Sequence, residues 1–445
     1  MKEILEKNKI ITHKSQLCEI FYSGIKSPDK FKIGVEYEKL AVKKKNYRAV
    51  EYKEIKEYLK KLKEKINAED ITENKHLLGL QTENEKLSLE PGAQVELSLA
   101  PYQTIHECKA KIDSYNMLTD EIADDMGFLW LGYGIQPFST YENINLIPKM
   151  RYRLMDSYFK SIGTNAEIMM RETAGLQVNI DYSSEEDAIN KLRCATFLSP
   201  IVSAMFANSP IRGGKLSNYR SCRTNAWLHV DENRCGLIDS RLFHRELEYS
   251  FENYCNLLLA KPVIYNQKTG KNSKLTFKEL LNRGEVDMDD WFMHMSLYFP
   301  DVRLKDVIEI RNCDCQNTDL MYSFFALWKG LMYDKESIDE AFSTVEDFNW
   351  ITINILRKSL PHIGLNVNFM GVNLFDIANN LVDIAKKSLK KQAEEGGYRD
   401  ESIYLTPIEK LVSHRQTQAD IIAKKWTYEW NKDPDKFIDY IRIRI

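Results

Sequence analysis

A chain of 445 residues that is 43% hydrophobic and 29% charged has ample apolar mass for a large core. Its 62 basic and 65 acidic residues leave a formal charge of −3, so no overall field favours nucleic acid or an anionic membrane. No apolar run approaches the roughly 20 residues of a membrane span, and the N-terminus, MKEILEKNKIITHK, lacks a signal-like apolar stretch, so the default expectation is a cytoplasmic protein.

Residues 1–30 place apolar side chains at helical spacing and stop near Ser27-Pro28. Phe31 to Val42 alternates: Phe31, Ile33, Val35 and Tyr37 take one face, and Lys32, Gly34, Glu36 and Glu38 the other. On a strand Glu36 and Glu38 are same-face neighbours about 7 Å apart. Glu51 to Lys65 predicts an amphipathic helix with a lysine-rich outer face. Gly79 to Tyr102 follows, GLQTENEKLSLEPGAQVELSLAPY. Its second half sets Val95, Leu97 and Leu99 against Gln94, Glu96 and Ser98, and Pro91-Gly92 re-aims the chain just after Glu90. Thr104 starts a long amphipathic helix that Gly127 ends. Phe128 to Ile135 reads as a buried strand with close backbone approach at Gly132 and Gly134. Pro148 to Phe159 carries Arg151 and Arg153 into a helix.

Gly175 to Asp181 is a third alternating segment, with Leu176, Val178 and Ile180 opposite Gln177, Asn179 and Asp181. Glu186 to Ala207 predicts a helix kinked or broken at Pro200. Asn208 to Arg223 holds two adjacent glycines, a proline, and Arg212, Lys215, Arg220 and Arg223, which predicts a mobile basic loop. A fourth strand, Val307 to Arg311, puts Glu309 and Arg311 on one face. The remainder predicts helices at Asp319–Tyr333, Ile338–Leu360, Leu374–Glu395 and Gln416–Trp430, with a loop at Gly396-Gly397. Strand and helix signals do not alternate as a βαβ series would, so the expected class is α+β: a mostly antiparallel sheet flanked by many helices.

The four polar faces offer Glu36, Glu38, Glu90, Glu96, Gln177, Asn179, Asp181, Glu309 and Arg311, where a solvated face would offer Lys, Thr and Ser. Clustered carboxylates raise one another's pKa unless a cation sits among them. Hard oxygen donors of this kind suit Mg²⁺ or Mn²⁺ rather than zinc. A magnesium cluster beside arginines points to phosphoryl transfer. There is no GxxxxGK[ST] loop, no GxGxxG after a strand, and no Ser-His-Asp or Cys-His spacing. The eight cysteines are scattered without zinc spacings, Cys313 and Cys315 being the one close pair, which predicts ordinary reduced thiols.

The segments GVEYEKL, SLEPGAQVELSLAP, LQVNIDY, TNAWLHVDENRCGL and FPDVRLKDVIEIR resemble, in order, those of glutamate–cysteine ligases of the plant and proteobacterial type. The resemblance runs from about Phe31 to the C-terminal helices. It implies a glutamine-synthetase-like curved, mostly antiparallel sheet that forms a funnel. It also implies a single catalytic unit over 1–445, with 31–315 carrying the metal- and ATP-binding sheet and 316–445 mainly helical. By the resemblance Glu36, Glu38, Glu90, Glu96 and Glu309 hold metal, and Gln177, Asn179, Lys215 and Arg311 face the nucleotide. Arg311, Arg223 and Arg234 serve the reaction, and Arg151, Arg223 and Arg234 bind substrate. The basic loop would close over ATP. Where plant-type members carry Arg-Thr-Cys-Thr this chain has Glu172-Thr173-Ala174-Gly175, with Arg171 one place away, and no amino-acid contact is assigned to that segment.

The implied activity is ATP-dependent joining of the γ-carboxylate of L-glutamate to the amine of L-cysteine through a γ-glutamyl phosphate, the first step of glutathione biosynthesis. The expected partners are glutamate, cysteine, ATP and Mg²⁺, in a monomer or homodimer with no nucleic acid and no membrane. Two alternatives stay open: a related glutamate–amine ligase with another acceptor, and a Mg²⁺-dependent phosphohydrolase.

Overall fold

Ile33–Lys43 forms the longest described strand, β1, and a sheet assembles on it in the computed structural model, which describes residues 10–162, 165–244, 247–266 and 271–444. Glu69–Glu73 (β2), His76–Gln81 (β3), Glu85–Leu89 (β4), Val95–Leu99 (β5), Phe128–Leu131 (β6), Gly175–Ile180 (β7), Val302–Leu304 (β8) and Ile308–Asp314 (β9) complete nine strands. The order is β8-β9-β7-β1-β5-β4-β3-β2, with β6 pairing the end of β1, and every pairing is antiparallel. The expected mostly antiparallel sheet with many helices is therefore what the chain builds.

Register follows from the period-2 pattern. Tyr37 lies opposite Leu97 and Leu176, Val35 opposite Val178, and Val178 opposite Ile310. All of these are buried and form one apolar face, each fully buried aliphatic side chain contributing about 1.5–3 kcal/mol. Helix Glu185–Met205 packs on β8 and β9, helix Thr318–Met332 on β7, and helix Ile105–Asp125 on β6. A slip of one residue would turn the apolar set outward, so burial fixes the register.

Several elements depart from expectation. The N-terminal helix is short: Lys14–Cys18 is a 3₁₀ turn and Glu19–Ser23 a single helical turn, while residues 1–9 of the expected helix lie outside the described residues. Helix Glu185–Met205 runs unbroken through Pro200. The Thr196 carbonyl, which the Pro200 nitrogen cannot reach as a donor, accepts instead from the Ser199 hydroxyl at 3.1 Å. The expected Ile338–Leu360 helix is two, Lys335–Ser343 and Trp350–Ile363, because Asn349 caps the second by accepting from the Thr352 N–H.

The stretch Asn208–Arg223 is not a mobile loop. It holds a two-stranded ribbon, Ile211–Arg212 with Lys215–Leu216, turned at Gly213 and Gly214, both at positive φ. Arg212 forks onto the buried Glu172 carboxylate at 2.6 and 2.7 Å, and Arg220 reaches Asp420 at 2.8 Å. These ion pairs tie the segment down, so closure over a nucleotide by this loop is not supported.

Candidate active site

The opposite face of the sheet is polar, and it floors a cleft of about 330 Å³. The same register that buries Tyr37 puts Glu38 opposite Glu96, Glu36 opposite Ser98 and Gln177, and Glu309 opposite Asn179 and Arg303. Glu90 joins from the turn after β4, where the Glu90 N–H donates to the Gln94 carbonyl. Gly92 is required in that turn: a Cβ there would lie 2.3 Å from the Arg171 carbonyl oxygen. The cleft is thus lined by Glu36, Glu38, Glu90, Glu96, Gln177 and Glu309 from the floor, with Arg151, Arg223 and Arg311 around them.

The acids divide into two kinds. Glu36, Glu38, Glu90 and Glu96 form no ion pair among the described residues. Glu36 accepts from Asn179 Nδ2 at 3.2 Å, Glu38 from the Gly175 N–H at 2.5 Å, and Glu96 from the Ser88 hydroxyl at 2.9 Å. The Tyr152 hydroxyl lies 3.2 Å from Glu90. Burial, with Glu90 close by, pushes Glu38 up to about 7 against the pull of Arg223, the Gly175 N–H and Arg311. Burial and the charges of Glu90, Glu36 and Glu38 hold Glu96 well above the ordinary carboxylate range.

Glu309 is the other kind. It is 1% exposed, and its oxygens meet Arg303 at 2.6 and 2.7 Å, Lys305 at 2.6 Å and Arg311 at 2.9 Å. Burial alone would raise its pKa, but Arg303, Lys305 and Arg311 hold it well below the ordinary range. Arg311 also donates to Gln177 at 2.6 Å. Arg223 donates to the Arg311 carbonyl at 3.1 Å and lies flat on Gly175, where a Cβ would be 2.4 Å from its Nη2. Arg151 is held by Ser296, side chain and carbonyl, at 3.0 Å each. The Nε atoms of Arg151 and Arg223 are buried without a protein partner.

Some expected site residues lie elsewhere. Arg234 is 1% exposed, pairs with Asp231 at 3.1 Å, donates to backbone carbonyls and lies over the Tyr158 ring, so it supports the fold and does not line the cleft. Lys215 is exposed on the ribbon and borders a separate pocket. Asn179 shares the polar face but touches Glu36 instead of lining the cleft. Asp181 falls just past β7 and accepts from the Lys26 ammonium and the Lys32 N–H, both at 2.8 Å.

Other residues line the cleft without a clear signal in the sequence. Lys86 and Ser88 come from β4. Arg303 lies on β8, which at three residues is too short to show a period, and Lys305 lies just past it. Lys149, Tyr152 and Trp227 also line the cleft and carry no periodic signal.

As they stand, no three Asp, Glu, His or Cys side chains among the described residues converge to hold one ion. The donor set on the acidic side nevertheless fits a hard divalent cation: it is all oxygen, without cation partners, and two of its members are pushed up by burial and mutual repulsion. A sheet face that sets unpaired carboxylates against a wall of arginines and lysines is that of an enzyme handling phosphate-bearing substrates.

The chain belongs to glutamate–cysteine ligase family 2, whose sequence model matches residues 32–435. It is 32% identical over 432 residues to the chloroplastic glutamate–cysteine ligase of Arabidopsis thaliana, covering 95% of this chain and 81% of that protein. It is 31% identical over 432 residues to chloroplastic glutamate–cysteine ligase B of Oryza sativa subsp. japonica, covering 95% and 86%. Among solved structures it resembles the glutamate–cysteine ligase of Francisella tularensis in complex with AMP, with a TM-score of 0.58 and 12% identity over 92% of this chain and 87% of that one, which speaks to the fold. The chloroplastic names of the plant relatives overturn the expectation of a cytoplasmic protein. No helix among the described residues is long and apolar enough to cross a membrane.

Proposed function

We propose that this chain is an ATP-dependent glutamate–cysteine ligase that makes γ-glutamylcysteine, the entry step of glutathione synthesis, in the cleft over the polar sheet face. The observation that carries the assignment of the site is the opposition, across one cleft, of four unpaired carboxylates and the Arg303–Lys305–Arg311 wall. The whole chain acts as one catalytic unit, 31–315 supplying the metal- and ATP-binding sheet and 316–445 a mainly helical buttress. All nine strands of the main sheet lie between Ile33 and Asp314, which supports that division.

Glu36, Glu38, Glu90 and Glu96 would hold Mg²⁺, with Mn²⁺ a substitute. Glu309 would join them only by sharing the oxygen that now meets Lys305. When bound, the metal supplies charge neutralisation between phosphate oxygens and an attacking carboxylate. The glutamate γ-carboxylate attacks the γ-phosphorus of ATP, the bond to the bridging oxygen breaks, and ADP leaves. The cysteine amine then attacks the acyl carbon of γ-glutamyl phosphate, the C–O bond breaks, and phosphate leaves as the amine loses its proton. Arg311, held by Gln177 and Glu309, would meet the transferring phosphate, and Arg223 and Arg151, which also line the cleft, would meet substrate carboxylates. Fixed guanidinium groups of this kind stabilise developing charge without reorganising at the moment of reaction.

ATP turnover measured with glutamate alone, with glutamate plus cysteine, and with a panel of other amines tests the reading. Phosphate release that requires glutamate, and rises with cysteine above other amines, is the expected result. Release without any amino acid would make the chain a phosphohydrolase, and indifference to cysteine would make it a ligase for another acceptor.

A further inference from the structure

Cys18 and Cys255 are 237 residues apart in sequence, yet their sulfurs lie 2.7 Å apart in the folded chain. That is within an ångström of a bonded pair, about 2.05 Å. Both thiols are free and buried. Cys18 ends the 3₁₀ turn that leads into Glu19–Ser23, and Cys255 sits in the middle of helix Phe251–Leu259. The two elements are already interlocked by Phe21, whose ring lies 5.5 Å from Phe251 and 5.6 Å from Tyr254.

Both elements also support the turn that carries Lys305. The Tyr182 hydroxyl bridges the Phe21 carbonyl at 2.6 Å and the Lys305 carbonyl at 2.9 Å. A Cβ at Gly24 would lie 2.3 Å from the Asp306 carbonyl oxygen, and the Tyr254 hydroxyl accepts from the Leu304 N–H at 3.1 Å.

We infer that Cys18 and Cys255 form an oxidative modification site, a thiol pair that closes to a disulfide and staples the N-terminal segment to helix Phe251–Leu259 behind β8 and the turn that carries Lys305. Either thiol can donate the hydrogen bond that joins them, so either sulfur can open the reaction, written here for Cys18. With a peroxide as oxidant, the Cys18 sulfur attacks one peroxide oxygen, the O–O bond breaks, and Cys18 becomes a sulfenic acid as water leaves. The Cys255 sulfur then attacks the Cys18 sulfur, the S–O bond breaks, and a second water departs. In sum two thiols and one hydrogen peroxide give one disulfide and two waters.

The test treats the full chain with stoichiometric hydrogen peroxide and maps its peptides without reduction. The expected product is a Cys18–Cys255 cross-linked peptide, an intact mass lower by two hydrogens, and a melting temperature raised by roughly 3–5 °C that dithiothreitol reverses. Cys18→Ser and Cys255→Val should each abolish the cross-link and the shift. Recovery of both thiols as free, alkylatable groups, their oxidation beyond the sulfenic acid, or a cross-link between other cysteines would overturn the inference on the parent protein alone, whether or not the variants fold.

Discussion

Replacing Glu38 by Gln should make the metal-free protein more stable and the enzyme inactive. The folded chain raises the Glu38 carboxyl from its ordinary 4.5 to about 7, chiefly by burial and by Glu90. The folded state therefore holds that proton more tightly than the unfolded chain does, so stability falls as pH rises from 4.5 towards 7 and is level above it. The difference corresponds to about 3 kcal/mol at pH 8. Glu38→Gln keeps an oxygen for the Gly175 N–H and removes the buried charge. For 445 residues the unfolding entropy is roughly 0.9 kcal/mol per kelvin, so the variant should melt about 3 °C higher at pH 8 and level with the parent at pH 4. Calorimetric melts in chelator at several pH values give the comparison. Mg²⁺ should then stabilise the parent more than the variant. A variant that melts below the parent at pH 8, or by a margin independent of pH, would refute the account of the acidic floor.

Glu309→Gln should behave in the opposite way. It strands Arg303, Lys305 and Arg311 around a neutral amide, which costs about 3–5 kcal/mol of stability, visible as a lower melting temperature. Glu36→Gln should leave the melt unchanged or higher while turnover falls by roughly 100-fold, read as glutamate-dependent phosphate release. Gly175→Ala is compatible with the strand but puts a methyl into the Arg223 guanidinium, so kcat/KM should fall by about 10–100-fold in a protein with a near-normal melt. Arg311→Lys should also lower turnover sharply: Nη1 of Arg311 meets both Gln177 and Glu309, and a lysine that kept those two bonds would have no second nitrogen to offer a phosphate; parental kcat in steady-state assays would exclude that role.

The polar floor was legible because strand side chains alternate, and alternation survives in sequence. Glu36, Glu38, Glu96, Gln177, Glu309 and Arg311 could all be read from it, and the sheet brings them to one face. Periodicity reports the face but not the partner. That Glu309 is triply paired while Glu96 has only a hydroxyl depends on Arg303, on a strand too short to show a period, and on Lys305 in the turn just past it. Arg234 illustrates the opposite failure. Resemblance placed it by position, whereas Asp231 three residues before it was the local sign of a structural ion pair. The basic stretch Asn208–Arg223 was misread because charge and glycine content describe a free chain, and the acceptors that tie it down, Glu172 and Asp420, are remote in sequence. The Cys18–Cys255 contact had no signal at all, since nothing in a one-dimensional string marks two thiols that meet across 237 positions.

The central strand has a genetic consequence. β1 is paired along both edges, and its two acids alternate with Val35 and Tyr37, which are buried. Deleting or inserting a single codon between Ile33 and Glu38 would invert which side chains look into the cleft and would drive two carboxylates among hydrocarbon. Frame-preserving length changes there should be lost on two counts at once, foldability and turnover, whereas the exposed turn at Asn74-Lys75, between β2 and β3, should absorb them.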